Sequence, residues 1–251
     1  MGAPVILAHS ILPAATLSCS STAPGFELQH IADTRPYTWW GAAYNGTNTI
    51  TIACGSARSA DCLGIIGHNL YSGSITIALE YSDDGITWSV ALAPFTPSSD
   101  RALMEMFAEI SAPFWRLVMT GAALPMLAVV SLGICLQFPF PPESPFTPKT
   151  VKTEQDTQIS KVGNPLGTVI SHYAVTVEPE FKHVARSWVL YAFGPFWQAY
   201  GRTRALHFWA WDLDTYPDDV LYLRQVGDYK APVSTLGYVD SLKLKMEGVE
   251  E

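Results

Sequence analysis

The sequence predicts a mainly β protein in two parts, and three observations carry that expectation. From Val5 to Phe138, short apolar runs alternate with Gly, Pro, Asn and Ser clusters, the spacing of a sandwich or barrel of many short strands. Within that stretch Ile75, Ile77 and Leu79 alternate with Ser74, Thr76, Ala78 and Glu80, as in a strand with one buried face. Five prolines then fall between Phe138 and Pro148, and every lysine lies at or after Lys149, so composition changes at the same place.

Taken in order, the first half suggests strands at 27–30, 49–53, 62–68, 74–81, 88–92, 104–110, 114–120 and 127–137. Asp84-Gly85 marks a turn between two of them. The proline segment reads as an extended, semi-rigid linker whose aromatic residues dock on a neighbouring surface. Domains are therefore expected at 1–140 and 151–251, with the linker at 141–150. After it, 152–161 is polar and Gly163-Asn164-Pro165-Leu166-Gly167 is a turn. His172, Ala174, Thr176 and Glu178 alternate with Tyr173, Val175 and Val177, which predicts a strand over 169–179. One helix is expected at about 183–191 and a second short one at 195–201. Further strands are expected at 205–211, 220–226 and 238–246.

Composition excludes several classes. The chain is 48% hydrophobic and 15% charged, too apolar for disorder and low in charge for a lone monomer. The net charge is −8 and no basic run occurs, so a nucleic-acid partner is not expected. The uncharged stretch 117–138 is long enough to span a bilayer, but Gly121, Pro125 and Gly133 interrupt it and favour two buried strands. Residues 1–20 lack a basic start and are broken by Pro4 and Pro13, so no leader is expected. Cys19, Cys54, Cys62 and Cys135 lack zinc spacing and read as reduced thiols, although Cys54 and Cys62 could face each other across neighbouring strands.

Leu63–Leu70, then Tyr81-Ser82-Asp83-Asp84-Gly85-Ile86-Thr87-Trp88, then Phe114-Trp115-Arg116-Leu117 and a closing 129–136 strand resemble the discoidin-like, galactose-binding-like family. Asp33 followed by Trp39-Trp40 fits the same pattern. The resemblance implies a jelly-roll β-sandwich at the N-terminus that binds or builds rather than catalyses. The second half carries Gly194-Pro195-Phe196-Trp197, Phe208-Trp209-Ala210-Trp211-Asp212, Tyr216-Pro217-Asp218-Asp219-Val220 and Gly237–Leu244. It resembles tail proteins of bacteriophages and implies a β-rich assembly domain with one or two short helices. The leading expectation is thus a structural component of a tail tip or baseplate, of the distal-tail or adaptor class. It would be made in the bacterial cytoplasm, incorporated in the virion, assembled as a homo-oligomeric ring and bound to other tail proteins. The alternative is a carbohydrate- or receptor-binding module that recognises a host surface glycan.

Trp39, Trp40, Tyr44 and Asn45 form an aromatic-polar cluster, with His68 and Asn69 as polar partners at a strand end. Such residues stack sugar faces and fix hydroxyls. They can equally plug and cap the sandwich. Trp188, Phe196, Trp197, Tyr200, Trp209 and Trp211 crowd the second half, and the surplus of rings over its expected core suggests an oligomer interface. Asp212, Asp214, Asp218 and Asp219 lack the glycine and terminal glutamate of a calcium loop, so a solvated acidic loop is expected. No Gly-x-Ser-x-Gly or His-Glu-x-x-His motif occurs, and the histidines lack ligand spacing. No catalytic residue, metal or cofactor is expected.

Overall fold

The computed structural model describes residues 2–234 and 237–249. It divides into two compact units. The first takes Met1–Gln137 and Phe208–Val220, the second Phe138–His207 and Leu221–Glu251. The chain thus re-enters the first unit late, where a single crossing at the linker was expected.

The first unit holds β1 (Val5–Leu7), β2 (Thr16–Cys19), β3 (Trp40–Gly41), β4 (Gly46–His68), β5 (Thr76–Ser82), β6 (Ser89–Phe95), β7 (Leu103–Gly121), β8 (Met126–Gly133) and β9 (Leu136–Gln137). Its main sheet runs β3-β8-β4-β7-β5-β6, with β2 also on β4. Two long strands make the sandwich. The first half of β4 pairs with β2 and with the end of β7, from Gly46↔Gly121 to Ala53↔Phe114. Its second half pairs with the start of β7 and with β8, as in Cys62↔Met106 and Cys62↔Gly133. Register shifts between Ala53 and Arg58 and between Ala60 and Cys62 turn the corner. Ile50, Ile52, Leu63, Ile65, Ile77, Leu79, Trp115, Leu117, Leu127 and Val130 fill the space between the layers.

The sequence cut these long strands into short ones, because bulges look like turns in a hydrophobicity pattern. It also read 27–30 as a strand. Those residues lie in a 3-10 turn, Leu28–Ala32, that buries Leu28 and Ile31. Four residues cannot distinguish the two periods. Cys54 and Cys62 lie on one strand, so they do not face each other across a pair. All four cysteines are free thiols. Among the described residues no helix is long and apolar enough to cross a membrane.

The second unit contains β10 (Thr150–Ile159), β11 (Pro165–Val177) and β12 (Glu180–Ala185), then a helical segment over 186–201. β13 (Leu206–Ala210) leads back to the first unit, where Val5↔Ala210, Ile6↔Trp209 and Leu7↔Phe208 pair. β14 (Val220–Gln225), β15 (Tyr238–Lys243) and β16 (Met246–Val249) follow. β11 and β14 both pair with β16, and β12 pairs with β15. The expected pair of helices is one helical run. Two π-type turns, Val189–Phe193 and Trp197–Gly201, flank Pro195 and let the chain pass it without a break. Gly201 is required there, since a Cβ would stand 2.4 Å from the Trp197 ring.

Aromatic residues of the proline segment dock on a neighbouring surface, as expected. Phe138 is buried and stacks on Phe181 with centroids 4.4 Å apart. Phe193 lies at the centre of a ring cluster with Trp188, Phe196, Trp197 and Tyr229. This corrects the ring-surplus argument for an interface. Phe196, Trp209 and Trp211 are buried, and Trp188, Trp197 and Tyr200 are partly buried against other rings. Phe138, Phe181 and Tyr229 supply the packing partners that a count over 188–211 leaves out.

Candidate functional site

The loops at one end of the sandwich gather most of the candidate residues. Trp40 pairs with Leu127 and Gly41 with Met126, and the Ala42 amide donates to the Pro125 carbonyl. Tyr44 and Asn45 follow directly, and the Asn45 amide side chain donates to Ala122 O at 3.1 Å. Asn69 holds the same loop from the other side. Its Nδ2 donates to Leu124 O at 2.9 Å, and its Oδ1 accepts from the Met126 amide at 2.9 Å. Both asparagines therefore spend hydrogen bonds on shaping the loop 122–125.

Trp40 is not part of a sugar-facing surface. It is 0% exposed, and its indole N–H donates to Ser21 O and Thr22 Oγ1, each at 3.2 Å. It is core, and it anchors the segment that supports Tyr44. Ser21 Oγ donates to Asn48 Oδ1 at 2.7 Å, Asn48 Nδ2 donates to Tyr44 O at 2.9 Å, and the Tyr44 hydroxyl donates to Ser20 O at 2.8 Å. Tyr44 keeps its ring exposed with its hydroxyl already engaged. His68 is buried too. Burial holds its pKa below the usual value, partly offset by the Arg101 carbonyl and Asp100. It accepts from the Leu70 amide at 3.3 Å and so caps a turn.

Trp39 faces solvent, 37% exposed, and stacks on Phe26 with centroids 5.7 Å apart and planes at 28°. The His30 ring donates through Nδ1 to Trp39 O at 3.0 Å and fixes the backbone beneath the indole. Beside it a tight turn is stapled by Asp33, which accepts from the Arg35 amide and the Thr38 hydroxyl, both at 2.8 Å. That turn presents Tyr37, 70% exposed. Tyr71 is a further exposed ring, on a loop whose Tyr71 and Ser72 amides donate to Asp100 Oδ1 at 2.9 and 3.2 Å. Phe26, Tyr37 and Tyr71 were not singled out in the sequence. Their one signal was their position in Pro-, Gly- and Ser-rich loops; exposure itself depends on long-range pairing.

The arrangement offers flat apolar faces rimmed by polar groups. Among the described residues no group of three or more His, Cys, Asp or Glu is placed to hold a metal ion. The acidic stretch is structural: Asp212 accepts from the Thr215 amide at 3.2 Å, Asp219 from the Trp211 indole at 3.3 Å, and Asp218 pairs with Ser98.

No family model matches the chain. No curated protein matches it significantly. Solved structures do resemble it. A chitosan-binding module of a chitosanase/glucanase from Paenibacillus sp. IK-5 is 19% identical over 49% of this chain and 98% of the module, with a TM-score of 0.44. A Clostridium perfringens module solved with GalNAc-β-1,3-galactose is 13% identical over 50% and 99% of the two chains, with a TM-score of 0.44. A Ruminococcus gnavus fucosidase solved with fucose is 16% identical over 50% of this chain but 26% of its own, again at 0.44. None of these three is a tail protein.

Proposed function

We propose that the first unit is a non-catalytic carbohydrate-binding module, and that the loop end carrying Trp39 is its ligand face. The observation that carries this reading is the exposed Trp39–Phe26 stack with Tyr37 next to it. A pyranose presents a C–H face that packs on an aromatic plane, and its hydroxyls pair with nearby polar groups. Here Arg35, Asp33 and His30 stand beside the rings. Tyr44 and Asn45 line the loop that follows. Trp40, His68 and Asn69 shape the face from behind. The test is a glycan array probed with the full chain, followed by calorimetry on any hit. Binding that Trp39→Ala and Tyr37→Ala abolish supports the reading; binding to no glycan, or binding indifferent to both changes, sinks it.

A second reading, an assembly component of a larger particle, is favoured by a separate observation, the exposed β10–β11 hairpin. Virion location and contact with tail proteins belong to this second reading.

A further inference from the structure

The hairpin β10–β11 leaves the packed part of the second unit at Ala174. Beyond that point every residue of β11 is exposed, and β10 has no buried residue along its length. A two-stranded ribbon with neither face covered is marginal in water. The register shows that its faces differ. Val151, Thr153, Gln155, Thr157 and Ile159 lie across from Val175, Tyr173, Ile170, Thr168 and Pro165. On the other face, Lys152, Glu154, Asp156 and Gln158 lie across from Ala174, His172, Val169 and Gly167. The first face carries no charge and sets Val151, Ile159, Ile170 and Tyr173 among threonines and a glutamine, whereas the second carries Lys152, Glu154 and Asp156. The first face continues the line of Val175 and Val177, both fully buried, into solvent.

We infer that a second copy of this chain covers this apolar face, so that the hairpin is an assembly arm. The area is adequate. With the tip residues Val162 and Leu166, the exposed apolar side chains Val151, Ile159, Ile170 and Tyr173 present roughly 600 Å², the low end of one partner's share of a specific interface. The same unit carries a further uncovered apolar spot at Leu190 and Tyr191, the latter 82% exposed, which gives the arm a place to land on a neighbour. An arm on one surface and a receiver on another is a heterologous contact, which closes into rings or grows into filaments. This inference rests on the assembly reading and not on sugar binding. The packed rings around Phe193 have no part in it.

The test uses the full chain in sedimentation velocity and light scattering. Wild type should associate as concentration rises. The double change Ile159→Glu with Ile170→Glu should weaken that association by about 30-fold or more. Val169→Glu, on the opposite face, should leave it nearly unchanged. Hydrogen exchange on wild type is the second measurement, needed if the double variant misfolds: hairpin amides should become protected as concentration rises. A wild type that stays monomeric overturns both the arm and the assembly reading. A wild type that associates with hairpin amides still unprotected, or equally well with both glutamates in place, overturns the arm alone.

Discussion

Trp39 and Trp40 are neighbours in the chain with opposite fates: one stacks on Phe26 at the surface, the other donates its N–H to Ser21 and Thr22 inside the core. Trp40 begins β3 and is held inside by its pairing with Leu127, whereas Trp39 lies just before the strand, where His30 fixes its carbonyl. Trp39→Ala is expected to lower glycan affinity by about tenfold or more with little change in stability. Trp40→Ala is expected to cost about 3–5 kcal/mol of stability. Calorimetry and urea denaturation on both variants separate the two roles; equal loss of stability in both would contradict the assignment.

Phe193 is fully buried and touches Phe138, Trp188, Phe196, Trp197 and Tyr229. Phe193→Ala is expected to cost about 3–5 kcal/mol. Urea unfolding followed by fluorescence reads the loss. A variant as stable as wild type but weaker in self-association would return the ring cluster to an interface role.

His207 is buried, and burial pushes its pKa from 6.5 down to about 4, against a small opposing effect of the Ala205 carbonyl. The unfolded chain therefore binds a proton that the folded chain refuses. Stability is full above pH 6.5 and falls as pH drops through the window toward 4. Thermal melts across that window should show the fall, and His207→Leu should remove its own share of it. An unchanged pH profile in the variant would place the titration elsewhere.

Cys62 is buried and sits beside Cys135, whose thiol, together with burial, pushes the Cys62 pKa well above the usual range. Thiolate is the reactive species, so Cys62 should be the last of the four to alkylate in the native protein. Time-resolved iodoacetamide labelling read by mass spectrometry checks this. Early labelling of Cys62 would mean that this part of β4 opens readily.

The all-β class was legible because alternation such as Ile75–Leu79 survives folding unchanged. Trp39, Tyr44 and Asn45 were legible as site material because aromatic and amide residues cluster there in loops. What could not be read was which way each ring points. Trp40 and His68 turn inward because β3 pairs with β8 and β4 ends against it, contacts between residues far apart in the chain. The ring cluster of the second unit was misjudged for the same reason, since Phe138 and Tyr229 reach Phe193 from outside the window that was counted. The hairpin was half legible. β11 alternates clearly, whereas the polar β10 shows no apolar period of its own.

The pairing of β1 with β13 has a consequence for the order of synthesis. Val5 leaves the ribosome well before its partner Ala210, which follows only after all the residues between them have been made. Until then one side of β1 has no strand beside it, and Gly64 waits for the Phe208 ring that a Cβ at that position would meet at 2.8 Å. A nascent chain halted before Phe208 would present that open edge to whatever strand comes near. Of the two units, the first begins earlier but cannot finish until much of the second has been made.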